Sequence, residues 1–485
     1  MSKERSVRLR FAPSPTGFLH VGGLRTALYN YLFARQHDGA FVLRIEDTDR
    51  SRYVEGAVSN LIDALHWAGL EYDEGPRKHG PHAPYVQSER LDIYRNHVEH
   101  LLSTGNAYRC FCTPERLAEM RKQQEKLHVS SKYDRRCLRL SSQDIEINLL
   151  KKVPFILRIK IPAGVIIRFH DVIRENLEFD SEQIDDQVLL KSDGYPTYHL
   201  ANVVDDHLMH ISHVIRGEEW LSSTPKHVLL YEFFGWELPT FAHLPLLLNP
   251  DRSKLSKRQG DVAVEEYRAK GYLKETLINF VALLGWNPGT EQEIFSLQEL
   301  VEQFSLERVN KAGANFNIEK LNWLNSEHLR KKSAPEILWM LKEELRRSKF
   351  EDLLFDDGYL LKVVQVMRER VTFVKDFLEK SPYFFEAPAL YDHEVAKKRW
   401  NAATPAQLKC LALEFSSLEN PRKEDYETAL HKTAESLHSG NGALIHAVRL
   451  AISGVGGGPG VYDILAILGK DESVKRINAA IERIQ

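Results

Sequence analysis

Near the start of the chain, Val7, Leu9 and Phe11 are separated by Arg8 and Arg10, the two-residue period of a strand with one buried face. From Leu24 the period becomes that of a helix, with Leu24, Ala27, Leu28, Tyr31 and Leu32 on one side. A second apolar run, Phe41 to Ile45, predicts another strand that ends in Glu46-Asp47-Thr48-Asp49-Arg50. Ser88 to Ser103 predicts an amphipathic helix through Leu91, Tyr94, Val98, Leu101 and Leu102, stopped by Gly105. Between Tyr108 and about Tyr195 the text changes to a polar helix (Glu115 to Lys126), short strands (Phe155 to Ile161, Val165 to Phe169) and turns, which predicts an insertion splitting the first fold. Sheet-like text resumes at Tyr195 to His207 and His213 to Trp220, and a helix from Pro225 to Phe234 stops at Gly235. After Tyr267 the pattern is almost wholly helical, with Leu277, Phe280, Val281 and Leu284 in one stripe and Leu321, Leu324 and Leu329 continuing it. The glycine-rich stretch Ser453 to Gly460 fits no phosphate fingerprint and reads as a helix-to-helix linker.

The loop between the first strand and the first helix runs from Arg10 to Gly23. In an open α/β sheet such a loop lies where ligands bind, and the following helix N-terminus supplies N–H groups for phosphate. Pro13 and Pro15 stiffen it, Gly17 allows a turn, and Gly22 and Gly23 remove Cβ atoms so that a flat ligand can lie against the backbone. His20 is a donor for a phosphate oxygen. The spacing matches neither the dinucleotide fingerprint nor the P-loop, and alone it is a plain turn. The acidic cluster falls at the same sheet edge; Asp47 or Asp49 is expected to cap a helix while Glu46 turns inward to an ammonium group. A basic loop, Lys254-Leu255-Ser256-Lys257-Arg258, lies between the apolar run at Leu246 and a helix starting near Val264. Lysines are compact charges on flexible stems, suited to following triphosphate oxygens.

At 485 residues the chain needs about two to four domains. Its 43% hydrophobic and 27% charged content supplies material for several cores, and a net charge of -3 excludes a globally basic coat while leaving room for local basic faces. Met1 to Val7 lacks the apolar core of a signal peptide, and no apolar run approaches the ~20 residues that cross a bilayer. A cytoplasmic protein with no membrane association is therefore expected. Four cysteines are too few for a disulfide framework.

Pro13-Ser14-Pro15-Thr16-Gly17 followed by His20-Val21-Gly22-Gly23 resembles the HIGH signature of class I aminoacyl-tRNA synthetases in its glutamyl form, and Lys254 to Arg258 resembles the second signature, KMSKS. Two unrelated patterns in the right order are far more specific than either one. The resemblance to bacterial glutamyl-tRNA synthetases runs from Arg10 to the Leu465-Ala466-Ile467-Leu468-Gly469-Lys470 segment. It implies an α/β, Rossmann-like nucleotide-binding fold with an inserted α+β domain and an all-α anticodon-binding region. The boundaries expected are 1–107 and 196–250 for the two catalytic halves, 108–195 for the acceptor-binding insertion, 251–328 for a stem-contact domain carrying the basic loop, and 329–485 for the helical domain.

The activity it implies is ATP-dependent formation of glutamyl-adenylate, with Mg²⁺ arriving with ATP, and transfer of glutamate to the terminal adenosine of glutamate tRNA by a monomer. By the same resemblance His20, Lys254 and Lys257 are catalytic, and Gly22, Gly23, Glu219, Lys257 and Arg258 bind ATP, with the Leu244 to Leu246 backbone contributing. Arg10 and Arg216 grip the glutamate side-chain carboxylate, and Ser14, Glu46, Tyr198 and Asn202 surround its α-amino and α-carboxylate groups. Arg370 resembles the arginine that inspects the last anticodon base in members restricted to glutamate tRNA. Arg330-Lys331-Lys332, Arg346-Arg347, Arg368 with Arg370, and Lys397-Lys398-Arg399 suggest an RNA-facing surface.

Some members hold zinc through Cys-x-Cys and, about 25 residues on, Cys followed two residues later by His or Tyr. Cys110, Cys112 and Cys137 match, but Arg139 stands at the last position and cannot ligate. Zinc is therefore not expected unless Asp134 or His128 completes the set. The alternatives are an enzyme that also charges glutamine tRNA, a glutaminyl-tRNA synthetase, a glutamyl-queuosine enzyme, which is too short to explain the helical region after Ser326, and a non-catalytic RNA-binding paralogue, which the presence of His20, Lys254 and Lys257 opposes.

Overall fold

The computed structural model describes residues 6–78, 80–255 and 263–484. Two compact units divide the chain, one formed by 1–270 with 274–320 and the other by 271–273 with 321–485.

In the first unit the strand Arg8–Phe11 pairs in parallel with Ala40–Leu43. The helix Val21–Gln36 connects them, and its Leu24, Ala27, Leu28 and Leu32 are fully buried, as the spacing predicts. On its other side Arg8–Phe11 lies beside the strand His213–Gly217, since the Ser212 N–H donates to the Arg8 carbonyl at 2.9 Å and the Arg8 N–H to Ser212 Oγ at 2.8 Å. His213–Gly217 pairs in parallel with Thr240–Leu244, with Arg216 opposite His243. Thr240–Leu244 meets the antiparallel hairpin Ile166–Asp171 and Glu175–Asp180 through Asp171 opposite Phe241. A hairpin from the middle of the chain thus extends the central sheet. A separate antiparallel sheet is built from Ala107–Cys110, Ile156–Ile159 and Val188–Leu190.

One stretch differs from its sequence reading. Tyr198–Leu208 is a helix, although Tyr195 to His207 reads as sheet-like. Every residue from His199 to Asp206 is buried, so the helix has no polar face along this run to reveal a 3.6-residue period. The next helix, Thr224–Phe234, ends as expected at Gly235, whose φ of +70° is the left-handed conformation that glycine adopts without penalty.

The second unit is helical, from Ala334–Leu345 to Lys470–Arg483. Leu329, Ile337, Phe377, Phe415, Leu465 and Ile477 share one core. The linker predicted at Ser453 to Gly460 joins the helices Asn441–Ser453 and Val461–Leu468. Among the described residues no helix is long and apolar enough to cross a membrane.

Candidate active site

The strands Arg8–Phe11 and His213–Gly217 lie beside each other, and the segments that follow both of them line one cleft. The cleft has a volume of about 530 Å³. Arg10, Ser14, His20, Gly22, Gly23, Glu46, Tyr198, Asn202, Arg216, Glu219 and Lys254 all line it. Lys257 and Arg258 lie outside the described residues.

His20 is the N-cap of the helix Val21–Gln36, and its Nδ1 accepts the Gly23 N–H at 3.0 Å. Nδ1 therefore carries no proton, and a neutral ring holds its proton on Nε2. The glycines serve this ring directly. A Cβ at Gly22 would come within 3.1 Å of His20 Nδ1 and Cε1, and one at Gly23 within 2.9 Å of Leu19 Cδ1. The space freed by the missing Cβ atoms is thus filled by the loop itself, not reserved for a ligand alone.

Tyr198, Asn202 and Asp206 follow at intervals of four on one helix face, which carries all three toward the first strand. Asp206 accepts from Arg10 Nε at 3.0 Å and from Arg44 Nη1 at 2.7 Å, and Arg44 Nη2 donates to Glu46 at 3.0 Å. The Glu46 N–H is itself bound to the Pro13 carbonyl at 3.0 Å, which pins the acidic cluster against the first loop. Asp205 accepts from Arg90, Gln87 and Tyr94 at 2.8, 2.9 and 2.8 Å. Burial pushes the Glu46 carboxyl above its ordinary value against the pull of Arg44. At Asp206 burial pushes the same way, but the charges of Arg10 and Arg44 prevail and hold it below. Glu46 thus turns inward, where the guanidinium of Arg44 holds one of its oxygens. Asp47 accepts the Ser88 N–H at 2.8 Å, while Asp49 is bound by Ser51 and Arg52 and makes no cap.

Arg216 stands apart from this balanced cluster. It is 5% exposed, yet among the described residues no carboxylate forms an ion pair with it. Its Nε donates to His243 Nε2 at 3.0 Å, Nη1 to Tyr198 Oη at 2.9 Å and His227 Nδ1 at 3.2 Å, and Nη2 to Thr224 Oγ1 at 2.9 Å. Burial first, and then the charge of Arg216, lower the pKa of His227 well below its ordinary value. His243 is pushed down to about 4, chiefly by burial, with Arg216 pulling the same way and the adjacent Asp171 opposing. Both rings are neutral at pH 7, so Arg216 carries a full, uncompensated charge. Asn202 Nδ2 is also buried without a hydrogen-bond partner among the described residues. An orphaned donor and an unpaired cation in one cleft describe a site for a ligand with anionic oxygens.

After the strand His213–Gly217, a Cβ at Gly217 would collide with the Glu219 carboxylate, so the glycine lets Glu219 fold back over the strand end. The 244–246 backbone, expected to face a nucleotide, is largely engaged. The Leu246 N–H is bound by Glu218 at 2.9 Å, its carbonyl by Ala314 N at 2.9 Å, and the Pro245 carbonyl by Arg25. Sequence reasoning missed Arg44, Asp206, Asp171, His227 and His243; the visible signal was Asp205-Asp206 inside an otherwise apolar run.

The family of class I tRNA synthetase catalytic domains specific for E and Q matches residues 6–323, and the anticodon binding domain family matches 333–481. The glutamate–tRNA ligase of Chloroherpeton thalassium is 53% identical over 496 residues, covering 99% of this chain and 99% of that protein. The chain belongs to the glutamate–tRNA ligase family. A second family member, from Chlorobium phaeobacteroides, is 52% identical over 98% of each chain. Among solved structures of the family, the glutamate tRNA ligase of Elizabethkingia meningosepticum in complex with its amino acid is 42% identical with a TM-score of 0.94, covering 99% of this chain and 100% of that one. The glutamate-tRNA synthetase of Elizabethkingia anophelis gives 42% and 0.92, covering 98% and 100%.

Two further parts of this ligase-family chain bear on its site residues. The Cys110, Cys112 and Cys137 sulfurs all lie within 4.8 Å of one another. Arg139 turns away to the Asp134 carbonyl, and the Asp134 carboxylate is held by Arg116. Tyr133 lies beside the cluster: its hydroxyl is 3.3 Å from Cys112 Sγ and accepts the Cys137 N–H at 3.0 Å. The hydrogen bond between Cys110 and Cys137 lowers the pKa of the first thiol and raises that of the second, and burial raises that of the Tyr133 hydroxyl. In the helical unit Arg370 is exposed, and its charge acts with burial to lower the pKa of Arg449. Two basic patches are partly neutralised: Arg330 pairs with Glu327 and Glu369, and Arg346 with Glu343.

Proposed function

We propose that the chain activates L-glutamate with ATP and passes it to the 3′-terminal adenosine of glutamate tRNA. An α-carboxylate oxygen of glutamate attacks the α-phosphorus, an O–P bond forms, and the bond to the β-phosphate oxygen breaks, releasing pyrophosphate. A hydroxyl of the terminal adenosine then attacks the acyl carbon and AMP leaves. Neither step needs an enzyme nucleophile; positioning and electrostatic stabilisation carry both.

The observation that supports this most is one cleft with a phosphate-ready helix N-terminus at His20 and an uncompensated guanidinium at Arg216. His20 and the Val21 and Gly22 amides are assigned to the phosphates, with Lys254 at the rim of the cleft; Lys257 and Arg258, outside the described residues, are assigned to them as well. Mg²⁺ enters with ATP and neutralises phosphate charge. Arg216 takes the side-chain carboxylate. Arg10, whose Nε is bound to Asp206 and whose Nη1 donates to the Ile215 carbonyl at 3.4 Å, is assigned to the same carboxylate through Nη2. Tyr198, Asn202, Ser14 and Glu46 hold the amino-acid end, Glu46 facing the α-ammonium. Arg370 reads the anticodon. Cys110, Cys112, Cys137 and Tyr133 fit the four donors of a structural zinc ion, which would tie the helix after Thr113 to the strand before it. A cytoplasmic monomer completes the reading.

ATP–pyrophosphate exchange with glutamate and purified glutamate tRNA is the test. Exchange that requires glutamate is expected; none with glutamate, or equal exchange with glutamine, would overturn the assignment.

A further inference from the structure

Three buried side chains from three separate strands meet in a line: Asp171 from the hairpin, His243 from Thr240–Leu244, and Arg216 from His213–Gly217. Asp171 and His243 are fully buried and line no part of the cleft. His243 Nδ1 lies 2.6 Å from Asp171 Oδ2, and the Asp171 carboxylate is itself fixed by the N–H groups of Ile173 at 3.0 Å, Arg174 at 2.8 Å and His243 at 3.1 Å. Only one tautomer satisfies this contact: Nδ1–H donates to the carboxylate. That leaves Nε2 as an acceptor, and the Arg216 Nε–H fills it at 3.0 Å. We propose that His243, locked by Asp171, is a positioning residue that fixes Arg216 toward the side-chain carboxylate of the amino-acid substrate and so sets the preference for acid over amide.

The proposal rests on the reading of Arg216 given above and deepens it. Its physical content is neutrality. A carboxylate placed directly against Arg216 would orient it equally well but would cancel the charge that a substrate carboxylate needs. A neutral imidazole orients without cancelling, and the anion that fixes the imidazole is kept one ring away. The other side of Arg216 follows the same plan. His227 Nδ1 accepts from Nη1 at 3.2 Å, and His227 Nε2 meets His199 Nδ1 at 3.1 Å, so a second neutral ring is backed by a third. Thr224 Oγ1 completes the set, 2.9 Å from Nη2 and 3.1 Å from His243 Nε2. If Asp171 could not accept, the imidazole proton would be free to move to Nε2, where it would face the Arg216 Nε–H donor to donor.

The test measures KM and kcat for glutamate and for ATP by pyrophosphate exchange at saturating glutamate tRNA. His243→Leu removes the acceptor, and His243→Gln returns an acceptor oxygen near the Nε2 position. His243→Leu is expected to raise the glutamate KM about 20-fold, the loss of one hydrogen bond to a charged group, with the ATP KM within about twofold. His243→Gln recovers most of that loss, and the ratio of glutamate to glutamine use falls in His243→Leu. An unchanged glutamate KM, or glutamate and ATP KM rising together, would overturn the proposal. Should His243→Leu fail to fold, Asp171→Asn is judged by the same split. Arg216→Met run in parallel separates the two levels. If it too leaves the glutamate KM unchanged, the reading of Arg216 is wrong; a large defect there beside a silent His243→Leu rejects only the positioning role.

Discussion

Arg216→Met replaces a buried guanidinium by a side chain of similar length and no charge. For glutamate it removes a desolvated ion pair, and truncating one partner of such a pair costs about 2–5 kcal/mol. For glutamine it removes a hydrogen bond to a neutral amide, about 1 kcal/mol. The difference, centred near 2.5 kcal/mol, lowers discrimination between the two amino acids by about two orders of magnitude. The same change should leave the free protein's stability nearly untouched. Arg216 is buried with no carboxylate beside it, so its removal relieves a desolvation cost that offsets the hydrogen bonds it gives to His243, His227, Tyr198 and Thr224. The Thr224 hydroxyl, which donates to the Trp220 carbonyl at 3.1 Å, lies 3.1 Å from His243 Nε2 and can turn to that ring once the guanidinium is gone. The assay pairs pyrophosphate-exchange kinetics for glutamate and glutamine with urea unfolding in the absence of substrate. Wild-type protein at a glutamate concentration of 100 Kd gains about 2.7 kcal/mol of apparent stability, and the variant at that concentration gains almost none. An unchanged glutamate-to-glutamine ratio, or a loss of more than about 3 kcal/mol of intrinsic stability, would refute the reasoning, because the second result belongs to a paired charge.

Asp206→Asn is that paired case: it strands Arg10, leaves Arg44 to Glu46 and Asp205, and should cost about 3–5 kcal/mol in urea unfolding. Because the Asp206 pKa is held below its ordinary value, its contribution is present above the unfolded-state pKa near 3.9 and is lost as pH falls through the folded-state value; between about pH 5 and 3 the wild type should lose stability more steeply than Asp206→Asn. His20→Ala slows adenylate formation in rapid quench by about two to three orders of magnitude, as loss of a preorganised donor does, while the glutamate KM moves little; Lys257→Ala should match it. Gly22→Ala crowds the His20 ring and gives a smaller fall in kcat, again without a change in the glutamate KM. Reduced protein should hold one equivalent of zinc by mass spectrometry and lose it in Cys137→Ser; a metal-free wild type would leave Cys110, Cys112, Cys137 and Tyr133 as a packed thiol cluster.

What could be read from the sequence was local. The first strand, the helix after it and the glycine stop at Gly235 follow from period and turn chemistry within a few residues, and the signature loops gave the family. The helix Tyr198–Leu208 was misread because burial on all sides erases the contrast between apolar and polar positions on which a period depends. The charge partners were invisible for another reason. Asp206 meets Arg10 across 196 positions of chain, and His243 meets Asp171 across 72, so only the sheet order brings them together. The two arginines assigned one task therefore turned out to differ: Arg10 is already paired and Arg216 is not. Tyr133 escaped notice because a metal pattern fixed in spacing looks after Cys137, whereas the side chain proposed to complete the cluster stands four residues before it.

The most direct measurement is aminoacylation of purified glutamate tRNA with glutamate and glutamine in competition, the product resolved by the amino acid esterified to it. The account predicts glutamyl-tRNA, with glutamine excluded by a factor of about a thousand or more, since an amide leaves the Arg216 charge desolvated and unpaired. Glutaminyl-tRNA in comparable amount, or no charging while both amino acids and ATP saturate, would contradict it.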